Sequence, residues 1–151
     1  MTLETMDEAA VIHYITSAFA GVHVVTDKGN SFFLDDAESK LPFATLVTND
    51  DYDYFSDLGR PMVFRLNIGV SKPTFVALFG APPSAPGAAG VVSTGHDFTA
   101  LDQLMPHPVY GHMLWVCVLN PSRATFEVVR PLLAEAYSLA VRRRAKRGPR
   151  R

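Results

Sequence analysis

At 151 residues, 48% of them hydrophobic and 19% charged, the chain has the size and apolar content of one globular domain. Seven of its 14 Lys and Arg residues fall in 142–151, leaving seven basic against 15 acidic groups in residues 1–141. An acidic body with a basic end disfavours phosphate-backbone binding by the body. No apolar run approaches the ~20 residues of a membrane helix, and the acidic start Met1-Thr-Leu-Glu-Thr-Met-Asp-Glu8 lacks the features of a secretory signal. The single cysteine excludes a disulfide framework, so a cytoplasmic location is expected.

In chain order, Thr5-Met-Asp-Glu8 has the form of a capping box and predicts a helix from about Met6 to Phe19 or Ala20, with Val11, Ile12, Ile15 and Phe19 on its apolar face and Gly21 as its stop. Val22 to Thr26 and Ser31 to Leu34 flank the turn composition Asp27-Lys-Gly-Asn30 and predict a hairpin. Phe43 to Thr48 is a third strand and Met62 to Gly69 a fourth. In the fourth, Phe64, Leu66 and Ile68 alternate with Arg65 and Asn67, which predicts a sheet with one fully packed side and one polar side.

Ser71 is a cap for a short helix through Leu78, with Pro73 in its first turn and Gly80 as its stop. Residues 81–95, rich in Pro, Ala, Gly and Ser, read as a mobile surface loop and lack the Lys-Ser/Thr of a phosphate loop. A short helix is expected from Phe98 to Met105, extended backbone at His107-Pro108, and a strand from Met113 to Leu119. The last helix follows Asn120-Pro-Ser122, with Pro131 predicting a kink or a regular start near Arg130. The order predicts an α+β domain of two layers over residues 1–141, a mostly antiparallel sheet with an N-terminal and a long C-terminal helix on one face, followed by a basic tail at 142–151.

Met6-Asp-Glu-Ala-Ala-Val-Ile12, Pro42-Phe-Ala-Thr-Leu-Val-Thr-Asn-Asp50, Arg60-Pro-Met-Val-Phe-Arg-Leu-Asn-Ile-Gly69, His107-Pro-Val-Tyr-Gly111 and Leu119-Asn-Pro121 resemble the family catalogued as domain of unknown function 6194. That resemblance covers nearly the whole chain and implies no activity. A remoter resemblance is to the MmcQ/YjbR-like proteins, with Tyr110, Trp115 and Tyr137 in comparable places. It implies a similar fold and, for some of those proteins, DNA binding, although the Asn-Lys they commonly carry between Tyr and Trp is missing here.

The candidate chemistry is concentrated in Met105 to Pro121 and in the Arg65 strand. His107 and His112, split by Pro108 and Gly111, do not share a helical face as zinc-protease histidines do. Each either lines a cleft or bonds backbone, and a metal site would need a third ligand from His96, Asp97 or Asp102; no metal and no cofactor is expected. Tyr110 and Trp115 are aromatics of the kind that shape pockets, while Trp115 also shares a strand face with Met113, Cys117 and Leu119 and so suits the core. Cys117 reads as a buried inert thiol.

Arg65 and Asn67, about 7 Å apart on one strand side, either grip a carboxylate or phosphate of a ligand or pair with Asp50, Asp51, Asp53 or Asp57. The leading expectation is a binding domain for a small molecule or a protein partner, its cleft formed by Arg65, Asn67, His107, Tyr110, His112 and Trp115. One alternative is a nucleic-acid module acting through Arg142, Arg143, Arg144, Lys146 and Arg147, and another is a small enzyme with His107 or His112 as acid or base. Alanine at Arg65, His107, Tyr110 or His112 is expected to cost less than about 1.5 kcal/mol each.

Overall fold

The computed structural model describes residues 4–147. Helix α1 spans Glu8–Ala18, strands β1 to β4 span His23–Asp27, Asn30–Leu34, Ala44–Val47 and Arg65–Gly69, and helix α2 spans Lys72–Phe79. Strands β5 (Met105–Pro106) and β6 (Trp115–Leu119) follow, then helix α3 (Arg123–Arg147). The six strands form one sheet of order β1-β2-β3-β4-β6-β5 in which every neighbouring pair is antiparallel. The result is the expected α+β architecture. Among the described residues no helix is long and apolar enough to cross a membrane.

The β1–β2 hairpin closes through Lys28 (φ 51°) and Gly29 (φ 86°), left-handed residues whose twist matches the flanking strands. Along β4, Leu66 and Ile68, with Phe64 just before the strand, enter the main core. That core joins Val11 and Ile15 of α1, Phe75 of α2, Val116 and Val118 of β6, and Phe126, Val129 and Leu133 of α3. A shift of register by one residue would put Arg65 there instead.

The opposite face carries Arg65 and Asn67, as the alternation predicts, and is covered in part. The loop drawn over it carries Leu58 and Val63 onto Val47, Cys117 and Leu119, and Met105 of the edge strand β5 joins them in a second, smaller buried cluster. Five local expectations change. The cap of α1 is Asp7, whose carboxylate accepts from the Ala10 N–H at 2.8 Å. Thr5 is unavailable for that role because it bridges to Ser122, while the Met6 N–H donates to Pro121 O (2.9 Å) and the Arg123 N–H to Glu4 O (2.8 Å).

Strand β4 begins at Arg65, three residues late, because Met62 adopts φ 61° and turns the chain before it. No helix forms over 98–105. The Asp97 carboxylate binds the Thr99 N–H and hydroxyl, and Asp102 at φ 58° turns its own N–H to Leu119 O and its carboxylate to the Ser122 N–H. Those local bonds replace the helical ladder. Pro131 neither delays nor divides α3, which starts at Arg123 with the Ser122 hydroxyl accepting from Thr125 N–H. A mid-helix proline costs about 3 kcal/mol, and burial of Phe126, Val129, Leu132 and Leu133 on either side offsets it.

Finally, residues 142–147 are the last turns of α3 and not a separate tail. Arg144 Nε donates to the buried Asp35 carboxylate at 2.7 Å. Burial alone would raise the Asp35 pKa, but the Arg144 and Ser39 hydrogen bonds hold it below the usual carboxylate range. Arg150 and Arg151 lie outside the described residues.

Candidate functional site

On the sheet face opposite the helices lies a cleft of about 440 Å³. Antiparallel pairing sets its base: the register places Thr45 of β3 opposite Asn67 and Val47 opposite Arg65, while Asn67 in turn faces Cys117 of β6. Residues paired across antiparallel strands share a face. Phe32, Val47, Val109 and Trp115 give the cleft apolar walls. Leu41, Tyr52, Tyr110 and Met113, each at least half exposed, form its rim.

The indole of Trp115 lies against the backbone of Gly69, where an added Cβ would come within 3.2 Å of the ring. Any larger residue at position 69 would force the ring to shift.

The polar part of the cleft is Arg65, Asn67, Asp53, Thr45 and His107. Arg65 is 1% exposed and held by four donated hydrogen bonds. Its Nη1 and Nη2 reach Asp53 Oδ1 (3.0 Å) and Oδ2 (2.7 Å), Nη1 also donates to Ser56 Oγ (2.9 Å), and Nε donates to Asn67 Oδ1 (2.9 Å). Asn67 passes the chain on, its Nδ2 donating to Thr45 Oγ1 at 2.9 Å. Burial raises the Asp53 pKa, but the bidentate bonds and charge of Arg65 hold the carboxyl below its ordinary value. Of the two readings of the arginine fork, pairing with a loop carboxylate is the one realised, with Asp53 as the partner, so the fork is filled from within the chain.

His107 is buried at one end of this network. Its Nδ1 accepts from two backbone N–H groups, Val109 and Tyr110, both at 3.0 Å. A nitrogen receiving two donors carries no hydrogen, so the neutral ring holds its proton on Nε2. Burial and the nearby Arg65 charge, opposed by Asp53, push the His107 pKa down to about 3. The imidazole stays neutral at pH 7, its one lone pair facing the two backbone N–H groups and its proton on Nε2.

The cleft thus brings together Arg65, Asn67, His107, Tyr110 and Trp115. Tyr110 packs its ring on His107 with centroids 5.2 Å apart. Trp115 lines the wall, half-buried. His112 is not among the lining residues; it sits in a 3-10 turn over Gly111–Met113, and its buried Nδ1 has no hydrogen-bond partner among the described residues. Cys117 is fully buried beneath, its thiol pushed up to about 12 by burial, with Pro106 O as its neighbour at 3.7 Å.

Ser56, Thr45 and Val109 escaped the sequence reading, and Asp53 stood there only as one of four carboxylates. The cross-strand register contained a signal for Thr45, since a hydroxyl facing an amide on an otherwise apolar strand marks a shared polar patch. Among the described residues no three His, Cys, Asp or Glu side chains group as a metal site requires.

A protein-family model described as a family of unknown function, DUF6194, matches residues 6–149. No curated protein and no solved structure matches the chain.

Proposed function

We propose that this chain, which belongs to the DUF6194 family, binds a small, largely apolar molecule in the cleft between β2, β3, β4, β6 and the 107–113 segment. The observation that carries the reading is the cleft itself. Its volume of about 440 Å³ falls within the range of small-molecule sites, and its apolar walls converge on a few buried polar groups. A protein partner is less well matched, because the polar groups lie at the bottom of a concavity and not on a flat rim.

Trp115 is the one tryptophan of the chain and lines the cleft, so its emission reports occupancy directly. A panel of apolar metabolites should contain members that shift Trp115 emission saturably. The substitution Val109→Phe, which fills the cleft from its wall, should abolish that shift while leaving the melting temperature in place. Binding that persists in the filled variant, or an unmoved Trp115 signal across the panel, would end this reading.

A second reading concerns nucleic acid. The side chains of Arg142, Arg143, Lys146 and Arg147 extend over the last two turns of α3, and all four are exposed. They supply a cationic end remote in chemistry from the cleft, suited to weak, sequence-indifferent contact with phosphates.

A further inference from the structure

The five N–H groups of Arg65 and the tautomer of His107 leave two donors over. Four of the arginine hydrogens go to Asp53, Ser56 and Asn67, as described. The fifth is on Nη2, which stands 3.3 Å from His107 Nε2. With both Nδ1 bonds coming from backbone, Nε2 is itself a donor, so this close approach joins two N–H groups and is no hydrogen bond between them. Turning the ring over would aim the Val109 and Tyr110 N–H groups at a carbon. Among the described residues neither left-over hydrogen has an acceptor within hydrogen-bond distance, and both side chains line the cleft. Two buried donors 3.3 Å apart in the lining of one cleft are close enough for a single oxygen to accept from both.

We propose that the cleft recognises a neutral oxygen acceptor on its ligand, a ketone, amide or ester carbonyl, held jointly by His107 Nε2–H and Arg65 Nη2–H. This rests on the reading of the cleft as a small-molecule site. Neutrality follows from charge: Arg65 is already balanced by Asp53 at 2.7 Å, and the imidazole carries none. A carboxylate placed there would meet the Asp53 carboxylate without a spare cation, whereas a carbonyl satisfies both donors at no such cost.

Three probes of one shape separate the possibilities: acetophenone, benzoate and isopropylbenzene, titrated against the full chain and followed by amide chemical shifts. Acetophenone should bind roughly tenfold more tightly than isopropylbenzene, the worth of one well-made buried hydrogen bond, and benzoate should bind more weakly than acetophenone. Two variants assign the effect. His107→Asn keeps an acceptor for the Val109 and Tyr110 N–H groups but has no Nε2, and should shrink the ratio of acetophenone to isopropylbenzene affinity several-fold. His107→Gln, whose amide nitrogen reaches the Nε2 position, should restore part of the preference.

Ring nitrogen shifts of the free protein test the tautomer without any ligand and should show the proton on Nε2. A proton on Nδ1, equal binding of ketone and hydrocarbon, or tightest binding of benzoate overturns the carbonyl proposal while the cleft reading stands. If none of the three probes binds at its solubility limit, the cleft reading falls and the carbonyl proposal with it.

Discussion

Arg65 is the residue on which the far side of the sheet depends. A guanidinium 1% exposed and doubly bonded to Asp53 is stable only as part of the pair, since removing one partner leaves an uncompensated buried charge. Arg65→Ala is therefore expected to cost about 3–5 kcal/mol by urea unfolding, well above the 1.5 kcal/mol anticipated for a residue on a solvated strand face. Replacing both partners, as Arg65→Met with Asp53→Leu, should recover most of that loss. Equal losses in the single and double variants would show that the carboxylate, once alone, is solvated at no penalty.

His107 makes stability depend on pH. Its folded pKa of about 3 lies below the unfolded value near 6.5, so the unfolded chain binds a proton between those limits that the native ring refuses. Stability is full above pH 6.5 and falls as pH drops toward 3. From pH 7 to pH 5 the contribution from this ring is about 2 kcal/mol, at 1.4 kcal/mol per pH unit once the unfolded ring titrates. Denaturant midpoints should show it as a slope that His107→Asn flattens, with the other four histidines unchanged between the two proteins. An identical slope in the variant would mean that His107 titrates freely in the fold.

At the scale of elements, α3 is fastened beyond its apolar stretch. Its last core contact is Ala140, yet the Arg144–Asp35 pair extends the attachment another turn, to the end of β2. Arg144→Ala should lower the melting temperature, because it strands a buried carboxylate, whereas Arg143→Ala on the exposed side should leave it unchanged. Equal melting of both variants would reduce the pair to a surface contact.

Elements governed by their own periodicity were legible in the sequence. The hairpin, the alternation in β4 and the short capped α2 lie close to where local pattern puts them. Elements decided by distant partners were not. Thr5 leaves the helix for Ser122, and Asp102 gives up a predicted helix to bind Leu119 and Ser122. The polar half of the cleft was half-readable: alternation puts Arg65 and Asn67 on one face, but nothing in sequence spacing chooses Asp53 among four loop carboxylates. That choice is made by how residues 48–64 cross the sheet.

The whole molecule is polarised. Residues 1–141 carry seven basic against 15 acidic groups, while five cations occupy the last two turns of α3. Any affinity for duplex DNA should therefore fall steeply with salt, be indifferent to sequence, and vanish when Arg142, Arg143, Lys146 and Arg147 are replaced by Ser. Fluorescence anisotropy at 50 and 200 mM salt tests this, and tight binding by the substituted protein at the higher salt would move the nucleic-acid interface onto the body.

The bonds of Glu4, Thr5 and Met6 to Pro121, Ser122 and Arg123 also impose an order in time. Strands β1 to β4 are each paired with the next in sequence, so the loops they close are far shorter than the span from α1 to its anchor. Helix α1, at 11 residues, is too short to persist alone, and its anchor at Pro121 is 115 positions downstream of Met6. On a ribosome, α1 is made long before it can dock, and Val11 and Ile15 are apolar groups that a nascent chain must keep from wrong partners until β6 and the start of α3 have emerged.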